Sequence, residues 1–288
     1  MNPERNPLQK FFRKPVLDIT LPSRGSQWPK DHVEFTESME LEVFPMTAMD
    51  SFAYHAPGGL LNGEILVPAI ENCIPGIKNA WSIPSCDFLS VLLAMYVATY
   101  GQQVTIESSC VECQTISNLD IDLALLLKDH PDPEYKSLEF AEYTVYFKPL
   151  SYQLISQNGT IELQQQKTLL AFSNPELSEE IKTEYLNRLL QSIMNSVMSV
   201  MTQSISKIVY ENHTVDNPQH ISEFVKKCDR EVFISIKDHI FEYKKTTENR
   251  SIDAICKQCQ CQYQHQFDID QIRFVNDVND LQSIGKKI

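Results

Sequence analysis

Cys110-Val-Glu-Cys113-Gln-Thr-Ile-Ser-Asn-Leu-Asp-Ile-Asp122 and Cys256-Lys-Gln-Cys259-Gln-Cys-Gln-Tyr-Gln-His-Gln-Phe-Asp-Ile-Asp270 are the two stretches that decide the reading of this chain. Each runs Cys-x-x-Cys-Gln, then a short polar stretch, then Leu or Phe followed by Asp-Ile-Asp; the second copy is two residues longer. Two thiolates at this spacing reach one tetrahedral metal from a tight turn, and a second pair completes the shell. Cys110, Cys113, Cys256 and Cys259 are therefore expected to bind one structural Zn2+ ion. The repeated tails point to a zinc ribbon of two similar knuckle-and-strand units, distant in sequence and adjacent in space. Ile106 and Ile116 flank the first knuckle, and Ile252, Ile255 and Phe267 the second. A local site from Cys256, Cys259, Cys261 and His265 is the alternative, and the matching Asp-Ile-Asp tails favour the shared one. Cys261 is then a partly buried spare thiol and the one most open to oxidation.

The other cysteines read differently. Cys73, Cys86 and Cys228 lie on apolar faces and are expected to pack as small hydrophobes. A thioredoxin-type redox motif opens a helix after a strand, whereas Ile-Glu-Ser-Ser before Cys110 and Gln-Thr-Ile-Ser after Cys113 suggest a hairpin.

Outward from the knuckles, the spacing predicts a mainly helical α+β body. Residues 1–15 form a polar, flexible N-terminal arm, basic through Arg5, Lys10, Arg13 and Lys14. Residues 16–45 form a small β element: Val16 to Leu21 alternates, and so does Phe35 to Phe44, with Phe35, Met39, Leu41 and Val43 on one face. A helical segment occupies 46–105, interrupted at Pro57-Gly-Gly59. Its clearest helix follows Ile83-Pro-Ser-Cys-Asp87, with Ser85 as cap and Gly101 as stop. The first knuckle covers 106–122 and a helical insertion covers 123–250. The insertion holds a strand over 137–147, a helix over Pro149 to Phe172 kinked at Asn158-Gly159, a long helix from Glu176 to Asn212 and a last one from Pro218 to Lys245. The long helix carries Leu186, Leu189, Leu190, Ile193, Met194, Val197, Met201, Ile205 and Ile208 as its stripe. The second knuckle covers 251–274, and 275–288 is a C-terminal tail. The metal is thus expected to clamp both ends of the insertion.

Composition narrows the function classes. The 288 residues carry a formal net charge of -13, which opposes general nucleic-acid binding. No apolar run approaches the roughly 20 residues of a membrane span, and MNPERNPLQKFFRKP lacks a signal-peptide core, so a cytoplasmic chain without membrane partners is expected. No phosphate-cradling Gly-rich loop, G-x-S-x-G elbow or H-E-x-x-H motif occurs. His55 is more plausible as a surface or cap residue than as a catalyst. Asp120 with Asp122 and Asp268 with Asp270 read as solvated strand carboxylates. Four thiolate ligands leave no open position for metal catalysis, so no enzyme is expected. Met46, Met49, Met194, Met198 and Met201 offer an adaptable surface or, on the helical stripe, core packing.

Several segments taken in order carry a resemblance. They are Leu21-Pro-Ser-Arg-Gly25, Glu42-Val-Phe-Pro-Met-Thr-Ala48, Leu60-Leu-Asn-Gly-Glu64, Cys73-Ile-Pro-Gly-Ile-Lys-Asn79, Ile83-Pro-Ser-Cys-Asp87 and Ala98-Thr-Tyr-Gly101. The first cysteine pair, Tyr146-Phe-Lys-Pro-Leu150, the segment from Ile221 to Asp238 and the second cysteine pair complete the set, which spans about residues 17 to 274. Together they resemble the baseplate hub or hub-assembly proteins of T-even-type contractile-tailed bacteriophages. The knuckles depart from the expected Cys-Pro-x-Cys-Gly, with Val111 and Lys257 in place of Pro and Gln114 and Gln260 in place of Gly. The departure bears on backbone geometry and leaves the ligands intact. The resemblance implies a non-enzymatic component of the tail baseplate, assembled in the host cytoplasm with other hub proteins and the tape-measure protein. The role is either that of a virion subunit or that of a chaperone released after assembly. From a different class, a zinc-ribbon nucleic-acid factor is the alternative, and a metal-dependent hydrolase would need an exchangeable water on the zinc.

Overall fold

Strands β1 (Leu17–Ile19) and β2 (Leu41–Val43) pair antiparallel, Leu17 opposite Val43 and Ile19 opposite Leu41. In the computed structural model, which describes residues 8, 11–56, 62–128, 133–172, 179–247, 250–269 and 272, alternation sends Ile19, Leu41 and Val43 into the first of two large apolar cores. The stretch from Phe35 to Phe44 is not one strand. A turn closed by Met39 N–H donating to Thr36 O (3.0 Å) interrupts it and leaves Met39 exposed at φ 62°. The segment Pro57-Gly-Gly59 and the tail 275–288 lie outside the described residues.

Helices α1 (Ala48–His55), α2 (Gly63–Cys73), α3 (Ser85–Tyr100) and α4 (Leu123–Lys128) build this core. Thr47 and Asp50 form a reciprocal capping box that starts α1. Helix α3 is buried along Val91–Tyr96, which makes it the central element. Ser85 does not cap it: Pro84 takes the cap position, and Ser85 is the first helical residue, its N–H donated to Leu150 O at 2.8 Å. Gly101, at φ 94°, ends the helix in a conformation that disfavours a side chain.

A buried carboxylate ties two of the quoted motifs together. Asp87, fully buried, accepts hydrogen bonds from Ser23 N–H (2.8 Å), from the Ser23 hydroxyl and from Trp28 Nε1–H (2.7 Å). Burial pushes its carboxyl up while these bonds oppose the shift. The N-terminal arm is fastened from Arg13 onward. Its guanidinium lies 3.5 Å from Asp50 Oδ2, donates to Asn72 O (2.7 Å) and to Pro45 O, and stacks 5.7 Å above Phe44.

Gly76 shows how tightly this core is closed. A Cβ there would sit 2.7 Å from both Glu34 O and Leu41 Cδ2. Gly76→Ala is expected to lower stability by about 1–3 kcal/mol in a urea titration, because backbone must move to admit one methyl group.

The second core lies under an antiparallel sheet ordered β5 (Leu138–Glu139), β6 (Thr144–Phe147), β7 (Ile205–Tyr210), β8 (His213–Val215). Helices α7 (Pro218–Lys227) and α8 (Arg230–Thr247) supply Ile221, Val225, Ile236 and Ile240 against Val145, Phe147 and Ile208. The stretch expected to be a helical insertion is thus mixed helix and sheet.

Four local expectations are corrected here. The long helix, α6, runs Glu179–Ser204 and gives way to β7, because Ile205 and Ile208 pair with Phe147 and Val145 on β6. Residues 173–178, before it, lie outside the described residues. Helix α5 (Tyr152–Phe172) runs unbroken through Asn158-Gly159. There Ser196 Oγ–H of α6 reaches Asn158 Oδ1 at 3.4 Å, and Gln165 Nε2–H reaches Ser192 Oγ at 3.2 Å, so the two helices lie antiparallel. The stretch 137–147 splits into β5 and β6 at a turn closed by Phe140 N–H to Tyr143 O, 2.9 Å. The last helix splits at Cys228, whose backbone is extended (φ -67°, ψ 159°), and α8 starts with Phe233 N–H on Asp229 O.

Candidate metal centre

Strands β3 (Gln103–Ser109) and β4 (Ile116–Asp122) form one hairpin, and β9 (Arg250–Ile255) and β10 (Gln262–Phe267) another. Each Cys-x-x-Cys occupies the turn, and the two turns are built alike. Gln114 N–H donates to Cys110 O and Gln260 N–H to Cys256 O, both at 3.0 Å. Cys110 N–H then returns to Thr115 O (3.1 Å), and Cys256 N–H to Cys261 O (2.9 Å). Gln114 and Gln260 sit at φ 56° and 59°, the left-handed region where glycine was expected. The replacement of Gly by Gln therefore leaves the turn in place and adds strain, since a side chain in this region costs about 1–2 kcal/mol. Gln114→Gly is expected to raise stability by about 0.5 kcal/mol, after the entropy cost of glycine, without changing metal content. Paired thermal melts and metal analysis check both.

The structure brings the four thiols together. Cys110 Sγ lies 3.6 Å from Cys259 Sγ, and Cys113 Sγ 3.6 Å from Cys256 Sγ; the four sulfurs lie within 4.8 Å of one another. A tetrahedron with metal–sulfur bonds of about 2.3 Å has edges of about 3.8 Å. A disulfide needs about 2.05 Å. The donor set thus fits a soft tetrahedral cation and not a pair of disulfides. Cys110 and Cys256 are buried, Cys113 and Cys259 exposed. Contact with the Thr115 hydroxyl (3.3 Å) and its backbone lowers the Cys113 thiol to about 6. The backbone at Cys261 pulls Cys259 down, but burial and the sulfurs of Cys113, Cys256 and Cys110 outweigh it and raise that thiol to about 12. One thiol ionises readily and its neighbours then resist, a repulsion that a bound cation removes.

Side chains rather than a shared ladder join the hairpins, which are separate two-stranded sheets. Ser108 Oγ lies 2.8 Å from Tyr263 OH and 2.9 Å from His265 Nδ1, and the Thr115 hydroxyl donates to Gln258 Oε1 at 2.5 Å. Ala254 and Tyr263 are buried beside Cys110 and Cys256. His265 thus faces Ser108, and neither it nor Cys261 belongs to the four-sulfur group. Sequence reasoning passed over Ser108 and Tyr263; the signal was the alternation of Val104, Ile106 and Ser108, which all point inward on β3.

The Asp-Ile-Asp repeats acquire a physical role. Ile121 and Ile269 are both buried in the first core, so each repeat drives an isoleucine inward. Asp120 accepts from the Thr105 hydroxyl (2.6 Å), and Asp122 accepts from Ala124 N–H (2.9 Å) at the start of α4. Asp268 follows β10, and Asp270 lies outside the described residues.

Other singled-out residues fall elsewhere. His55 is buried at the end of α1, its Nε2 3.0 Å from Tyr100 OH. Cys73 and Cys86 are buried and Cys228 half-buried. Met46 and Met201 are core residues, whereas Met49 and Met194 are exposed.

Residues 62–275 match a protein family described as T4 bacteriophage base plate protein. The chain belongs to that family. The baseplate match encloses both cysteine pairs and the second core, and it begins after β1, β2 and α1, which contribute to the first core. No curated protein and no solved structure matches this baseplate protein. Among its described residues no helix is long and apolar enough to cross a membrane.

Proposed function

We propose that this baseplate protein works at the hub of a contractile tail, as a non-enzymatic structural or assembly component. Its partners there are other hub proteins and the tape-measure protein. The family match over 62–275, which takes in the entire excursion between the two thiol pairs, supports the baseplate part of this reading, and the hub placement rests on the resemblance of the quoted segments. In this reading Cys110, Cys113, Cys256 and Cys259 hold one Zn2+ as a two-knuckle ribbon, supported by sulfur separations of 3.6 Å. The metal supplies a cross-link and no chemistry, since four protein thiolates fill its shell. The protein joins the tail in the host cytoplasm and stays in the virion baseplate.

Cross-linking mass spectrometry on purified tails tests this directly. The expected result is the chain in intact tails, cross-linked to hub or tape-measure proteins. Finding it only in lysates would make it a transient assembly chaperone, and cross-links confined to the tail periphery would sink the hub placement. The nucleic-acid reading is disfavoured by the net charge of -13, and salt-sensitive DNA or RNA binding at physiological ionic strength would revive it.

A further inference from the structure

Helix α6 carries a stripe that the other described residues leave uncovered. Leu186 is 43% exposed, Leu190 51%, Ile193 41%, Met194 66% and Val197 38%. At 100° per residue, Leu186, Leu190, Ile193 and Val197 fall within an arc of about 60°, and Met194 borders it. Their spacing alternates four, three, four, the 3.5-residue period of a coiled-coil seam rather than the broader face that packs on a globular core. The neighbouring face of α6 is already used: Leu189 is buried, and Ser192 and Ser196 bond to α5. The five side chains expose on the order of 400 Å² of apolar surface, the size at which a patch on a soluble protein marks an interaction site.

A seam of this period calls for another helix with the same period. Helices α7 and α8 direct most of their apolar residues into the second core, so that the exposed Phe241 of α8 stands without a stripe, and α5 lies against α6 itself. The available match is α6 of a second copy. Charge points the same way. A chain with net charge -13 repels its copy over most of its surface, yet Leu189 to Ser204 contains no charged residue. Two such stripes face to face, with their polar borders, bury roughly 1,000–1,200 Å², the lower range for a specific interface.

We propose that α6 is a self-association surface, on which Leu186, Leu190, Ile193, Met194 and Val197 pair with the same residues of a second chain about a two-fold axis. The contact is independent of the metal centre and of the hub placement. Sedimentation equilibrium on the full chain tests it. The wild type is expected to be a reversible dimer, little affected by salt, and Leu190→Glu with Ile193→Glu to weaken it at least ~100-fold by forcing carboxylates into the seam. Both sites are exposed in the single chain, so far-ultraviolet circular dichroism should be unchanged. Should the double variant lose helicity, Leu190→Ser is the milder substitute, with the same expected direction. A wild type that stays monomeric at all concentrations overturns the proposal, as does a dimer that survives in the folded variants. A monomer that instead captures a helix of another baseplate protein through these residues overturns self-pairing too.

Discussion

Replacing Cys110 and Cys113 with serine is expected to take the chain from one bound zinc to none and to destabilise it by at least about 3 kcal/mol. Structural zinc contributes about 10–16 kcal/mol of apparent binding energy in small peptides that are unfolded without it. Here part of that is replaced by preformed structure, since both hairpins also place side chains in the first core through Val104, Ile106, Ile121 and Phe267. The loss should be greatest around the second hairpin. Phe267, Ile269 and Ile272 bring the returning chain into that core, and a metal cross-link between the hairpins would hold its entry. Hydrogen exchange should therefore rise first in β9 and β10. Cys261→Ser and His265→Ala are the controls, because neither residue belongs to the four-sulfur group. Metal retained by the Cys110/Cys113 variant, and lost on changing His265, would sink the shared site. Loading the thiols at neutral pH should also release protons, since the Cys259 thiol is raised to about 12 before metal binds. Acid should expel the metal for the same reason.

The second large effect is expected at Asp87. Its removal in Asp87→Ala leaves Ser23 N–H and Trp28 Nε1–H without their acceptor in a fully buried site. Each orphaned donor costs about 1–3 kcal/mol, so a total of roughly 3–5 kcal/mol is expected. That is a large share of the stability of an ordinary domain. Asp87→Asn keeps one carbonyl acceptor but turns an amide toward donors, and should fall about midway. The pH dependence separates charge from shape. The carboxyl is raised above its ordinary 3.8, so the folded state favours its protonated form. Its contribution is complete below 3.8 and is lost as pH rises through the raised value. Asp87→Asn should flatten that branch of the stability profile. Urea titrations at several pH values, followed by Trp fluorescence, measure both; equal stability of wild type and Asp87→Ala would refute the bridging role.

The four-thiol cluster was legible because each half of it is local. Two thiols three residues apart state their preference without reference to the rest of the chain, and the repeated Asp-Ile-Asp showed that the units correspond. Helix ends were less legible where a helical stripe runs on into a strand. Met201, Ile205 and Ile208 continue the stripe, yet Ile205 and Ile208, three residues apart, both pair with β6 across a register shift at Tyr146/Phe147, and that tertiary contact decides. Asn158-Gly159 failed as a breaker because α6 supports the helix from the side. The Ser23–Asp87 bridge could not be read at all. It spans 64 residues, and nothing in either motif names its partner. The stripe on α6 was visible as apolar residues, but whether its partner lay within the chain depended on the fold.

The two thiol pairs also impose a timetable. Cys113 and Cys256, whose sulfurs meet in the finished molecule, are 143 residues apart. At about 5–20 residues per second, the ribosome needs roughly 7–30 s to deliver the second pair after the first. Throughout that interval the first hairpin presents half a coordination shell, and the first core lacks Phe267, Ile269 and Ile272. The β5–β8 sheet with α7 and α8 can fold meanwhile, since its partners have all emerged. The arrival of the second thiol pair and of Phe267, Ile269 and Ile272 then closes the first core and the sulfur cluster together. A nascent or truncated chain is thereby kept from finishing its fold, and only a chain that reaches Ile272 can offer a completed first core.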